Sequence, residues 1–251
     1  MTNELRERSA VWFKISKNAS TSLRAAFMRI DESYFDYTTH IPGPHLTNVV
    51  DLVTGVKFLR QSVIGDLTYE KPAYGKIAMV NGQWYESYLE NFRYFYENCF
   101  TFTVVRNPWD RALSGYRYLT FKGNFKKPRS VLEELYNFKR ILKNRIYQND
   151  THVYEHLYRP QTEFFPVSES GDVILNAVFR LEQLESDLKQ LSDFLGVPEY
   201  KVPKGVDALR QSPEDLRRVH YSDFYDDEAK ELVASMFAKD IQVLKYSFVC
   251  D

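Results

Sequence analysis

A hydrophobic strand that ends in an arginine and runs straight into a capped helix is the strongest constraint on how this chain folds. Cys99 to Val105 is a short apolar, β-branched and aromatic run, the pattern of a buried strand. Arg106 follows it, and then Asn107 and Pro108 supply an N-cap and a favoured first helical residue. Trp109, Ala112, Leu113 and Tyr116 recur at i, i+3, i+4 and i+7, a core stripe that leaves Ser114 on its flank. Arg106 and Ser114 can therefore grip one anion near a helix N-terminus, one with a guanidinium fork and the other with a hydroxyl.

A second strand, loop and helix stands near the N-terminus. Val11 to Ile15 reads as a strand, Ser16 to Ser22 as a polar loop, and Leu23, Ala26, Phe27 and Ile30 as the buried face of the helix that follows. Ser20 reads as its N-cap, which turns the loop's amides and hydroxyls toward a place where a phosphate fits. The loop is not a Walker A motif. It has no glycine, and Lys17 precedes the hydroxyl residues instead of standing just ahead of the helix.

The remaining pattern alternates. Val173 to Arg180 reads as a strand, Leu184 to Leu195 as a helix stopped by Gly196 and Pro198, and Asp226 to Gln242 as one long helix with Ala229, Leu232, Val233, Met236, Phe237 and Ile241 inward. Alternation of this kind predicts an α/β fold. The length, 251 residues, and the 44% hydrophobic content suit one enzyme-sized domain spanning 1–251. No run of eighteen apolar residues occurs, and Met1 to Arg8 lacks the apolar stretch of a signal peptide. Two cysteines, Cys99 and Cys250, are too few for a disulfide framework. These features fit a cytoplasmic protein, with a luminal catalytic fragment lacking its anchor as the alternative.

Taken together, the two strand–loop–helix elements resemble those of the sulfotransferases that use 3′-phosphoadenosine 5′-phosphosulfate (PAPS), the carbohydrate branch (Golgi-type and bacterial) in particular. The segments Arg159-Pro160-Gln161-Thr162-Glu163-Phe164-Phe165 and Phe179-Arg180-Leu181-Glu182, with the tail through Lys239-Asp240-Ile241 to Tyr246-Ser247-Phe248, are similar to that family too. The resemblance implies a three-layer α/β/α fold with a central parallel sheet and a P-loop-like phosphosulfate-binding loop. It also implies that Lys17, Asn18, Ala19, Ser20, Thr21 and Ser22 hold the 5′-phosphosulfate, and that Arg106 and Ser114 hold the 3′-phosphate. The loop from Val202 to Ser212 matches a region that closes over the nucleotide in similar enzymes, which makes Lys204 and Arg210 candidate phosphate contacts beside their reading as ordinary surface charges. Two departures stand out. Ser16 occupies a position where the family commonly has proline, and Gly55 to Gly82 carries no familiar pattern.

The implied reaction moves SO₃ from a phosphosulfate anhydride to an acceptor hydroxyl and leaves adenosine 3′,5′-bisphosphate. Lys17 is the residue expected beside the bridging oxygen, where charge grows. The chemistry requires no metal, and the five histidines form no zinc pattern. A histidine is the natural general base. His40 and His45 share a Pro/Gly-rich loop, and His45-Leu46-Thr47 resembles a histidine-containing segment of the family, so this loop is the first choice, His45 ahead of His40. His152 and His156 could line an acceptor cleft instead, His220 reads as structural, and Glu163 and Glu70 are the carboxylate alternatives.

The acceptor is expected to be a carbohydrate or another hydroxyl-bearing molecule. The chain's net charge is −1, yet nine basic residues between Gly115 and Arg145 face only Glu133 and Glu134, a local balance of +7. That cluster is either a solvated face or a field attracting an anionic glycan. The chain carries no nucleic-acid module, so nucleic acid is not an expected partner. Two other classes share the elements: a small-molecule kinase with a variant P-loop, which would need a magnesium-holding carboxylate, and a catalytically inactive nucleotide-binding protein on the same fold.

Overall fold

The structure is a computed structural model that describes residues 10–20, 23, 35–36, 59–61, 67–69, 77–81, 99–145, 150–195 and 220–248. They fall into two compact units, one formed by 1–15, 19–105 and 163–206, the other by 16–18, 106–162 and 207–251.

The first unit holds the sheet. Its strands are β1 (Ala10–Lys14), β2 (Phe35–Asp36), β3 (Leu59–Gln61), β4 (Leu67–Tyr69), β5 (Ile77–Asn81), β6 (Phe100–Val105) and β7 (Ala177–Arg180). Five of them form a parallel sheet in the order β2-β5-β1-β6-β7, and β3 and β4 pair antiparallel on their own. The expected α/β fold with a central parallel sheet is therefore what the chain adopts. Ala10, Val11, Trp12 and Phe13 are all buried, as a parallel strand covered on both faces requires.

One face is aromatic and leucine-rich. Trp12 lies parallel to Phe102 at 6.4 Å between ring centroids, Phe102 meets Phe179 at 5.3 Å, and Leu184, Leu188, Leu191 and Leu195 of α3 (Leu184–Leu195) complete the cluster. Each buried leucine contributes about 1.5–3 kcal/mol. Beyond β6, the Asn176 carboxamide accepts from both the amide and the hydroxyl of Thr101, so β7 begins at Ala177 and not at Val173. The expected longer strand is shortened by this side-chain contact.

β1 and β6 are parallel neighbours with Phe13 opposite Thr103, and the Thr103 hydroxyl donates to the Phe13 carbonyl at 2.7 Å. Their carboxyl ends thus lie side by side. In open parallel sheets ligands bind beyond such ends, where the strand order reverses direction.

The second unit is helical. α1 (Pro108–Phe121) begins as expected, with Pro108 at its first position and the Asn107 side chain accepting from the Trp109 amide. α2 (Val131–Asn144) is capped by Ser130, and α4 (Asp227–Met236) by Asp226. Trp109, Ala112, Leu113 and Tyr116 are buried together with Phe138, Leu157, Val233 and Phe237. The one long C-terminal helix expected from Asp226 to Gln242 is instead two. Phe237 leaves helical backbone at φ −112°, ψ 29°, and α5 (Ala238–Leu244) follows. The break lets Phe237 bury its ring while Asp240 turns its carboxylate onto the backbone amides of Gln161 and Thr162.

Between α2 and the Gln161–Glu163 turn, Tyr154–Tyr158 forms a π-helical turn, closed by the Arg159 amide on the Tyr154 carbonyl at 2.8 Å. It packs on α1 at Gly115, where a Cβ would stand 2.2 Å from the His156 carbonyl oxygen. Alanine is the better helix former by about 1 kcal/mol, yet here it would have to push the turn away. Gly115→Ala is therefore expected to destabilise the protein by roughly 1–3 kcal/mol, read as a fall in Tm of several degrees. A Tm unchanged or raised would show that the turn yields freely.

Candidate functional site

The loop after β1 is held by strained backbone and buried polar contacts. Lys17 and Ala19 both have left-handed backbone, φ 72° and 55°, which costs a residue with a side chain roughly 1–2 kcal/mol. The Ala19 carbonyl accepts from the Leu23 amide at 2.9 Å, so the helix cap falls on Ala19, and Ser20 is already helical. This corrects the expected cap at Ser20. The shift puts Ser20 in the first turn of the helix, where anions are favoured. The Ser16 hydroxyl donates to Glu155 at 2.5 Å, and the Asn18 amide nitrogen donates to the Gln161 carbonyl oxygen at 2.7 Å.

Arg106 connects this loop to α1. Its Nε and Nη2 fork onto the Asp110 carboxylate at 2.7 and 2.8 Å, and Nη1 reaches the Lys17 carbonyl at 3.1 Å. Three of its five N–H donors are used in these bonds. Gln161, fully buried, bonds the backbone of Arg106 in both directions: its oxygen accepts from the Arg106 amide at 2.9 Å and its nitrogen donates to the carbonyl at 2.8 Å. Ser114 lies half-buried on α1, about 10 Å along the axis from Asn107 by helical rise.

Beneath these groups, Arg111 is 1% exposed and donates to three carbonyls: Ser16 at 3.2 Å, Arg159 at 2.8 Å and Glu155 at 3.2 Å. Burial lowers its pKa to about 10, opposed by the charges of Asp240 and Glu155, so it stays protonated at neutral pH.

Tyr118, one turn beyond Ser114, gathers several titratable groups. The Lys17 ammonium lies 4.3 Å from its ring centroid and the Lys122 ammonium 5.9 Å. The His156 ring stacks on it at 4.8 Å and 20°, and His152 stands 5.9 Å away. His156 Nδ1 bonds the His152 carbonyl at 2.8 Å; because a carbonyl only accepts, the proton is on Nδ1. Burial, together with the nearby charges of Lys17 and Arg111, lowers the His156 pKa to about 3.

The structure thus brings Lys17, Asn18 and Arg106 into one hydrogen-bonded group. Thr21, Ser22, His40, His45, Glu70, Lys204 and Arg210 lie outside the described residues. Glu163 is half-buried in the turn after Pro160, and His220 caps the short turn Tyr221–Phe224. Sequence reasoning missed Arg111 and Tyr118. Gln161 and Asp240 stood in segments singled out by resemblance, without a role. The basic cluster is also less free than its local balance of +7 implies. Arg117 pairs with Glu134, Lys139 with Asp226 and Glu228, and Lys143 with Glu228, two of these acids coming from beyond the counted segment. Lys122, Lys126, Lys127, Arg129 and Arg140 are exposed.

A family model described as the sulfotransferase family matches residues 5–247 of the chain. Among solved structures, a sulfotransferase from Alicyclobacillus acidocaldarius matches with 15% identity and a TM-score of 0.51 over 95% of this chain and 94% of that one, a likeness of fold. No curated protein matches the sequence significantly. No helix among the described residues is long and apolar enough to cross a membrane.

The half-buried, neutral His156 has a consequence for stability. In the unfolded chain His156 takes up a proton near the ordinary histidine value of 6.5, while in the fold it resists until about 3. Folding is therefore favoured by this group above that upper value and loses the contribution as pH falls through the interval. Between about pH 7 and pH 5, before most carboxylates titrate, the denaturant midpoint should fall, and His156→Gln should flatten the fall. Identical slopes for the two proteins would remove the assignment.

Proposed function

We propose that this chain, which belongs to the sulfotransferase family, transfers the sulfuryl group of PAPS to a hydroxyl of a carbohydrate acceptor, an anionic glycan included. The observation that carries the reading is the bond from the Arg106 guanidinium to the Lys17 carbonyl, which joins the segments expected to face the two phosphate ends of such a donor. The described residues fit an anionic co-substrate. Arg106 keeps N–H donors beyond those spent on Asp110 and the Lys17 carbonyl, and Ser20 opens a helix.

In this reading the acceptor oxygen bonds to sulfur as the bond from sulfur to the bridging oxygen breaks. The electron pair stays on the 5′-phosphate oxygen, and the acceptor's proton passes to a base. Lys17 stabilises the charge growing on the bridging oxygen. Ser20, Thr21 and Ser22, with Asn18 and Ala19 in the same loop, hold the 5′-phosphate. Arg106 and Ser114 take the 3′-phosphate, with Asp110 fixing the guanidinium fork, and Lys204 and Arg210 add phosphate contacts. His156 is a poor acceptor for a proton near neutrality, with its pKa near 3. The base is assigned to His45, with His40 as its neighbour in the same loop, on the resemblance of His45-Leu46-Thr47 to a histidine-containing segment of the family. The exposed Lys122, Lys126, Lys127, Arg129 and Arg140 supply the positive field that an anionic acceptor would meet.

Two measurements test this reading. Adenosine 3′,5′-bisphosphate at about 100 times its Kd should stabilise the fold by roughly 2.7 kcal/mol, and AMP at the same concentration by much less. Arg106→Ala should erase most of that difference; equal thermal shifts for the two nucleotides in the wild-type protein would defeat the two-phosphate reading. Labelled donor supplied with a panel of glycan acceptors should show transfer. Lys17→Ala should lower kcat far more than it weakens binding of adenosine 3′,5′-bisphosphate, because its interaction strengthens as charge develops. Weaker nucleotide binding with kcat unchanged would assign Lys17 to ground-state binding.

A further inference from the structure

We infer that Tyr118 is a positioning residue for Lys17: its ring face holds the lysine's ammonium in the place from which it acts on the leaving oxygen. The inference rests on the proposed role of Lys17. The ammonium stands 4.3 Å from the ring centroid, well inside the range in which an aromatic face attracts a cation.

The ring is itself braced. His156 stacks on it nearly parallel, the Nδ1 bond to the His152 carbonyl fixes the imidazole, and the π-helical turn that carries His156 sits against α1 at Gly115, one turn before Tyr118 and on the same side. A lysine side chain has four rotatable bonds and is disordered unless something holds its end. An aromatic face attracts the ammonium through the ring quadrupole and adds no formal negative charge beside an anionic donor. The neutral state of His156 belongs to the same arrangement, since an imidazolium stacked there would repel Lys17.

The test compares Tyr118→Phe, which keeps the face, with Tyr118→Leu and Tyr118→Met, which remove it. Affinity for adenosine 3′,5′-bisphosphate and the Tm are measured first, so that a variant that fails to fold is recognised and the other is used. Tyr118→Phe should keep kcat within about two-fold, while the aliphatic variants should lose about ten-fold or more in kcat with donor KM and nucleotide Kd nearly unchanged. A second readout needs no turnover. Reductive methylation with ¹³C-formaldehyde gives each lysine a dimethylamine signal, and the signal absent from Lys17→Arg identifies Lys17. In the wild-type protein and in Tyr118→Phe that signal should be displaced upfield by the ring current, and in Tyr118→Leu it should return to the position of an ordinary surface lysine. A wild-type signal with no displacement, or wild-type kcat retained by the aliphatic variants, overturns the role of Tyr118 alone. A wild-type chain that transfers no sulfuryl group to any acceptor overturns the reading of Lys17 and takes the role of Tyr118 with it.

Discussion

The buried guanidinium of Arg111 is the interaction on which the helical unit's polar architecture depends. Its three carbonyl partners lie on the loop after β1, the π-helical turn and the segment before Gln161, pieces of chain separated by up to 143 residues. Two of the three, Ser16 and Arg159, lie outside any helix or strand. A planar fork with five donors can satisfy several such acceptors at once, which a lysine in the same place could not. Taking a cation out of water costs several kcal/mol. Here that cost is offset by the carbonyl dipoles and by the charges of Asp240 and Glu155, and the group remains charged.

Asp240 acts in the opposite sense on the adjoining segment. Its carboxylate, fully buried, accepts from the amides of Gln161 and Thr162 and from the Thr162 hydroxyl, at 2.7–2.9 Å. Those amides open a short turn, where donors have no partner inside the turn itself. With its backbone so held, the Gln161 side chain is free of any need to seek other partners and engages Asn18 and Arg106 together. One buried cation gathers stray carbonyls and one buried anion gathers stray amides. Between them the loop that carries Lys17 has little freedom left, although its own backbone is strained at Lys17.

This division explains what was legible in the sequence. Elements whose information is local were read correctly: β6 and its Arg106 terminus, the Asn107–Pro108 start of α1, and α3 from Leu184 to Leu195. Each rests on periodicity or a cap within a few residues. The errors have distant causes. The break at Phe237 is invisible to helical periodicity, which runs through it, because its reason is an acceptor role for Asp240 toward residues some eighty positions away. The charge balance of α1 and α2 was overstated because Asp226 and Glu228 come from another helix to pair with Lys139 and Lys143. The cap moved from Ser20 to Ala19 because the left-handed backbone at Ala19 sets where the first helical bond closes, and a sequence preference for serine does not decide that. Tyr118 looked like one more helix residue; only its position beside the π-helical turn gives it Lys17 and His156 as neighbours.

The coupling between Arg106 and Lys17 follows from how a guanidinium distributes its donors. With Nε and Nη2 committed to Asp110, the plane of the fork is fixed, and Nη1 points along that plane to the Lys17 carbonyl. An anion approaching Arg106 must meet the N–H bonds that remain, in the same plane. It therefore polarises the group that holds the Lys17 peptide, and any rotation it imposes on the fork is felt at that carbonyl. A pull on that carbonyl reaches the Lys17 Cα across one bond, and the side chain borne there can swing through an arc. An aromatic face that captures the ammonium limits that arc, so the backbone contact sets where the lysine starts and the ring sets where it ends.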